Sequence, residues 1–236
     1  MLEAVKTLTK SLFRLCGLDI TRIRFEPYEW LKGRNIQTVF DIGANVGQFA
    51  SQIHRVLPDA MLYSFEPLED CYNELLKKMG HLPGFRAFNF ALGDTNGQTQ
   101  IYRNDYTPSS SLLPMEELHK RAFPFARHAT VQNIEVRRLD DILDELNIVD
   151  AVLVKIDVQG YEDKVILGGE KLISRVSVVI IETCFETLYK GQMLFSGIYD
   201  LLRERGFVYA GCENTRKSPK DGRILYCDSV FCKAAL

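Results

Sequence analysis

Six charged residues, Asp41, Glu66, Asp94, Lys155, Asp157 and Glu182, each close or follow a short apolar run in this 236-residue chain. Carboxylates at strand ends can hold cationic or hydroxyl-bearing ligands and can accept protons. The first of them lies in Thr-Val-Phe-Asp-Ile-Gly-Ala-Asn-Val-Gly, residues 38–47. Residues 39–42 read as a buried parallel strand. Gly43 and Gly47 then turn the chain into a helix whose apolar positions are Phe49, Ala50, Ile53, Val56 and Leu57. A pyrophosphate-holding fold usually carries Gly-x-Gly-x-x-Gly. Here the pattern is Asp41-x-Gly43-x-x-x-Gly47, and a carboxylate at that point repels a diphosphate. It suits the ammonium and sulfonium of S-adenosylmethionine. Glu66 follows a second apolar run about 20 residues on, where an acid accepts both ribose hydroxyls. Each acid also has a plainer reading: Asp41 as a turn cap, and Glu66, before Pro67, as a helix-start acid favoured by the dipole.

The second cluster is Lys155-Ile-Asp-Val-Gln-Gly-Tyr-Glu162. Residues 151–156 are apolar apart from the lysine, as expected of a central strand covered on both faces. Period-two alternation puts Lys155 and Asp157 on one side at the carboxyl end, where each keeps the other charged. Glu162 falls in the first turn of the following helix. A buried ion pair with a dipole-favoured glutamate is the structural alternative; the ligand position at the strand ends of an open α/β sheet is the functional one.

These groups need strands and helices to position them. Residues 61–65 form the second strand, Leu68 to Met79 mark a helix ended by Gly80, and 85–91 form a third strand closing in Ala91-Leu92-Gly93-Asp94. That loop lies beside the cofactor's base in a βαβαβ half, although Gly-Asp-x-Asn-Gly is also ordinary turn chemistry. Residues 97–103 and 129–138 alternate like antiparallel strands around an insertion containing Pro108-Ser-Ser-Ser-Leu-Leu-Pro114. Its Ser110 and Ser111 are candidate ligand contacts, or plain linker. His119 and His128 read as surface or loop residues. Residues 176–181 form a fifth strand leading to Glu182, and 207–211 with 225–232 form a closing antiparallel pair.

Apolar residues make up 46% and charged residues 25% of the chain, with a net charge of -2. That balance offers no field for nucleic acid or an anionic membrane and leaves a small or neutral substrate as the expected partner. Cys16, Cys71, Cys184, Cys212, Cys227 and Cys232 show neither zinc spacing nor a disulfide framework. No run reaches a membrane-spanning length, so a cytoplasmic protein, able to form a homo-oligomer, is expected. Residues 3–18 space Val5, Leu8, Leu12 and Leu15 as a helical stripe. Residues 1–35 are therefore read as a helical segment and cover, and 36–236 as the ligand-binding domain.

The motifs Asp41-Ile-Gly-Ala-Asn-Val-Gly-Gln-Phe, Phe65-Glu-Pro, Ala91-Leu-Gly-Asp94, Lys155-Ile-Asp-Val-Gln-Gly-Tyr-Glu162 and Cys227-Asp-Ser-Val-Phe231 together resemble the FkbM-type family of S-adenosylmethionine-dependent methyltransferases. The resemblance implies a Rossmann-like, class I methyltransferase fold: a three-layer α/β sandwich on a mostly parallel seven-stranded sheet, with an antiparallel last strand and a hairpin insertion. It also implies O-methylation of a sugar or secondary-metabolite hydroxyl, with a branch assignment to polysaccharide biosynthesis. By position it assigns Asp41, Gly43, Asn45 and Gly47 to the methionine part, Glu66 to the ribose and Ala91 to Asp94 to the adenine edge, with Ala44, Pro67, Leu68 and Asp157 as further cofactor contacts.

The expected chemistry is attack by an alcohol oxygen on the sulfonium methyl. Asp157 is the first choice to take the hydroxyl proton, Glu182 and Glu162 are alternatives, and Lys155 is their charge partner. In a variant, Asp157 and Glu182 bind a divalent cation that acidifies the hydroxyl. The rival readings are a nicotinamide-dependent oxidoreductase or epimerase, and a non-catalytic domain that keeps the cofactor pocket.

Overall fold

The computed structural model describes Arg14, Gly17 and residues 27–234. The helical stripe expected over 3–18, and most of the 1–35 segment, lie outside the described residues. The strands are β1 (Thr38–Ile42), β2 (Met61–Phe65), β3 (Phe85–Phe88), β4 (Ala91–Leu92), β5 (Gly97–Asn104), β6 (Ala129–Arg137), β7 (Val152–Ile156), β8 (Val176–Cys184), β9 (Phe207–Lys217) and β10 (Ile224–Lys233). The helices are α1 (Gln48–Val56), α2 (Glu69–Met79), α3 (Glu117–Ala122), α4 (Glu162–Gly168), α5 (Glu170–Arg175) and α6 (Phe195–Arg203).

Seven strands form one sheet in the order β3-β2-β1-β7-β8-β10-β9. Only β10 runs against its neighbours. Chain order reverses between β1 and β7, and in an open parallel sheet a ligand crevice opens above such a point. Both strands are buried along their whole length, which accounts for their unbroken apolar sequence. Alternate residues feed the two outer layers. Phe40, Ile42, Phe65, Val154 and Ile156 pack with Ile166, Leu172 and Leu202 of α4, α5 and α6. Val39, Leu62, Leu153 and Ile180 pack on the other side with Ile53, Leu75 and Met79 of α1 and α2.

A second sheet, β4-β6-β5, carries the insertion expected between residues 97 and 138. Two strand expectations need correction. The run 85–91 is not one strand: β3 stops at Phe88, and the Asn89 side chain donates to the carbonyls of Glu66 and Pro67, turning the chain so that Ala91 and Leu92 pair with β6 instead. The strand begun at Phe207 runs beyond 211 to Lys217, because β10 is long enough to pair along it.

Gly43 fastens the first motif to the second. It takes φ +84°, and a Cβ there would stand 1.9 Å from the main-chain oxygen of Asp157. The amide of Asp157 in turn donates to the carbonyl of Ile42 at 2.9 Å. The glycine is thus required by contact between two strand ends, beyond any approach to a ligand. Gly47, at φ +83°, precedes α1 with Leu75 of α2 against it. Gly43→Ala is expected to cost about 2–4 kcal/mol in urea unfolding, more than the roughly 1–2 kcal/mol of left-handed strain alone. Gly191→Ala, at φ +81° with nothing within 4 Å of an added Cβ, carries the same backbone strain without the clash and serves as the control.

Candidate active site

The carboxyl ends of the central strands open on a cavity of about 440 Å³, within the range of small-molecule sites. One arm lies over β1 and β2. It is lined by Asp41, Gly43, Ala44 and Asn45 from the first motif, then by Glu66, Pro67 and Leu68, with Ala91 and Leu92 beyond. Glu66 is 4% exposed and its carboxylate is fixed by main-chain donors: the Asn45 amide on Oε2 and the Leu68 amide on Oε1, both at 2.8 Å. Burial pushes its pKa up to about 7 against the pull of those two amides. Asp41 is also pushed up to about 7, by burial that the nearby Lys155 ammonium only partly offsets. Asp41 Oδ2 is buried with no hydrogen-bond partner, which leaves an acceptor for a ligand's cationic group.

The other arm is built on β7, β8 and β10 and is lined by Lys155, Asp157, Glu182 and Asp228. Strand register brings them together, with Asp41 opposite Lys155 and Glu182 opposite Asp228. Lys155 Nζ lies 2.7 Å from Asp228 and 3.4 Å from Asp157. Burial works against the ammonium, yet the Asp157 and Asp228 carboxylates hold its pKa above the ordinary lysine value. Burial likewise opposes the charge on Asp228, and Lys155 prevails, leaving that carboxyl below its usual range. Glu182 is driven well above its usual value, first by burial and then by the negative charges of Asp157, Glu162 and Asp228.

Several expected residues stand outside the cavity lining. Glu162 turns into its own loop, where Oε1 accepts the amides of Val158 and Gly160 at 3.2 and 3.0 Å. Burial raises its pKa to about 7. Gly47, Gly93 and Asp94 are not in the wall. Ser110 is in the wall, whereas the Ser111 hydroxyl donates to the Gln159 carbonyl at 2.6 Å and accepts the Leu113 amide. His119, expected at the surface, is buried against Phe123 and Tyr189, and burial lowers its pKa to about 4.

Other wall residues escaped the sequence reading. Gln159 Nε2 donates to both Asp157 Oδ1 and Glu182 Oε1 at 2.8 Å, while its Oε1 accepts the Tyr189 hydroxyl at 2.7 Å. Asn214 donates to Asp228 at 2.8 Å. Tyr28 packs edge-on to Phe49 with ring centroids 5.2 Å apart and shares the wall with Arg216 and Tyr226. Gln159 carried a signal, since it sits inside the second motif, and Tyr28 lies in the segment 1–35 read as a cover. Among the described residues, no group of three or more His, Cys, Asp or Glu is arranged to hold a metal ion. No helix among them is long and apolar enough to cross a membrane.

The family model described as methyltransferase FkbM domain matches residues 41–209. The 2-O-methyltransferase NoeI of Sinorhizobium fredii is 31% identical over 175 residues, 70% of this chain and 70% of its own length. The methyltransferase sdnD of Sordaria araneosa is 28% identical over 224 residues, 84% of this chain and 80% of its own. In fold, the chain resembles the crystal structure of a methyltransferase FkbM from Methylobacillus flagellatus, with a TM-score of 0.52 and 16% identity over 89% of this chain. The present chain spans 45% of that protein's length.

The buried acids predict a direction for stability against pH. Asp41, Glu66 and Glu162 have ordinary values of 3.8, 4.5 and 4.5 and folded values of about 7. The folded chain therefore binds their protons more tightly. The stability they contribute is full below about pH 4 and is lost as pH rises through 7. The urea midpoint is expected to fall from pH 5 to pH 8, less steeply in Asp41→Asn. An equal slope in wild type and variant contradicts the assignment.

Proposed function

Because the chain belongs to the methyltransferase FkbM family, we propose that it is an O-methyltransferase acting on a hydroxyl of a small-molecule or glycan acceptor. Methyl transfer and the class I methyltransferase fold come with the family. The nicotinamide reading falls with that membership. The acceptor, the residue roles and the domain boundaries are our reading. The observation that carries it is the meeting, in one cavity, of an adenosyl-type arm with a separate carboxylate pair.

The donor set fits S-adenosylmethionine: an unpartnered buried acceptor on Asp41, a main-chain-braced carboxylate on Glu66 and an apolar edge at Ala91 and Leu92. Glu66 would hold the ribose diol, Asp41 and the Gly43–Asn45 turn the methionine end, and Ala91–Leu92 the base. When bound, this cofactor supplies a methyl group already activated by a sulfonium. The chain's own task is then alignment and removal of the acceptor's proton; orientation alone can supply about 7–11 kcal/mol. Asp157 and Glu182 are adjacent acceptors for that proton. Their environments differ: Asp157 has Lys155 beside it and is partly exposed, whereas Glu182 lies deeper and has no ion pair among the described residues. Lys155 offsets the negative charge that the arm carries before the proton arrives.

The NoeI name specifies transfer to an oxygen, which supports a hydroxyl acceptor here. Residues 36–236 form the methyltransferase domain in this reading, with Pro27 and Tyr28 of the preceding segment in the cavity wall. The five described cysteines are all unpaired thiols, which supports a reducing, cytoplasmic setting.

Turnover of a hydroxylated acceptor, followed by transfer of a labelled methyl group, tests these roles. Glu182→Gln and Asp157→Asn are each expected to lower kcat by about 10²–10⁴-fold while leaving S-adenosylhomocysteine binding within about threefold of wild type. Full kcat in both variants removes the proton-acceptor assignment. A product methylated on nitrogen or carbon removes the O-methyl reading.

A further inference from the structure

Lys155 does not serve all its carboxylate neighbours. Its ammonium pairs with Asp228 and Asp157, and Glu182 has no ion pair among the described residues. Glu182 nonetheless lies in a crowd of acids, with Asp157 after β7, Asp228 on β10 and Glu162 on α4, all of which raise its pKa. Two carboxylates side by side, Glu182 buried and Asp157 36% exposed, ordinarily need a bridging cation or a shared proton. Here the space between them is taken by one amide nitrogen, Gln159 Nε2, which donates to Asp157 Oδ1 and Glu182 Oε1 at 2.8 Å each.

The amide's orientation is fixed from its other end. Its Oε1 accepts the hydroxyl of Tyr189, which is 1% exposed. A flipped amide would set oxygen against two carboxylates. The main chain is fixed as well: Gln159 has φ +57°, and its carbonyl accepts the Ser111 hydroxyl. Left-handed backbone at a non-glycine residue is uncommon and marks a position held by its surroundings.

We infer that Gln159 is a positioning residue, whose side-chain amide holds Asp157 and Glu182 as an adjacent pair in the way a divalent cation would in its absence. This rests on the reading of that pair as the proton-accepting site. The amide supplies two N–H donors without adding charge, so the pair keeps basic oxygen atoms facing the cavity. Glutamate at 159 has the same length but brings a third carboxylate, and three oxygen donors converging on one point suit a hard divalent cation.

Two measurements on the full chain test this, and neither needs an acceptor or a cofactor. In a thermal-melting cycle, Gln159→Leu lowers the melting temperature in the wild-type background and lowers it less than half as far in a Glu182→Gln background, where the repulsion has been removed. A side chain that only fills space gives the same drop in both backgrounds, and that result overturns the inference. In calorimetric titration with Mn²⁺, Gln159→Glu is expected to bind at least about tenfold more tightly than wild type. Mn²⁺ binding by the wild type that Glu182→Gln abolishes overturns it, as does a Gln159→Glu protein that binds no better than wild type. S-adenosylhomocysteine titration of the same proteins reports separately on the cofactor reading: its loss with both tests positive would remove that reading and leave the role of Gln159 standing.

Discussion

One ammonium, that of Lys155, lies among acids from four adjacent strands: Asp41 on β1, Asp157 after β7, Glu182 on β8 and Asp228 on β10. The arm over β7, β8 and β10 is organised by that charge. Removing one partner of a buried pair costs about 3–5 kcal/mol, because the other charge is left in a low dielectric. Lys155 also raises the ionised fraction of Asp41 from the far side of the β1–β7 boundary, so the arm over β1 and β2 and the arm over β7, β8 and β10 share a counter-ion. The close fit of Gly43 against the Asp157 carbonyl makes that sharing possible, since a side chain there would push the two strand ends apart.

The parts of this arrangement set by local chemistry were legible in the sequence. Asp41, Glu66, Lys155 and Asp157 each sit at the end of an apolar run, and period-two alternation correctly placed Lys155 and Asp157 on one side. Main-chain geometry fixed less than the residue types suggested. Ser111 and Glu162 looked like ligand or catalytic groups, but the loops holding them have amide and carbonyl groups of their own to satisfy, and those took the side chains. The break after β3 came from the side chain of Asn89, a polar residue within an apolar run that was read through.

What could not be read depends on pairing between distant strands. Asp228 reaches Lys155 only because β10 inserts antiparallel beside β8, and Asn214 reaches Asp228 only through the adjoining β9. Tyr28, Asn214, Arg216, Tyr226 and Asp228 all lie outside residues 41–209, the segment the family model matches. The wall over β1 and β2, from Asp41 to Leu92, lies inside it. The wall opposite is thus built from flanks in which Asp228 alone belongs to one of the motifs, Cys227-Asp-Ser-Val-Phe231.

The central claim is that the arm over β1 and β2 is an S-adenosylmethionine site read by Glu66. Calorimetric titration with S-adenosylhomocysteine, on wild type and on Glu66→Ala, tests it most directly. The account predicts micromolar binding at one site per chain, weakened by about 30-fold or more in the variant, the loss of roughly 2 kcal/mol expected for charge-assisted hydrogen bonds to the ribose. Folded wild-type protein that takes up no S-adenosylhomocysteine, or a variant that binds it as tightly as wild type, would contradict it.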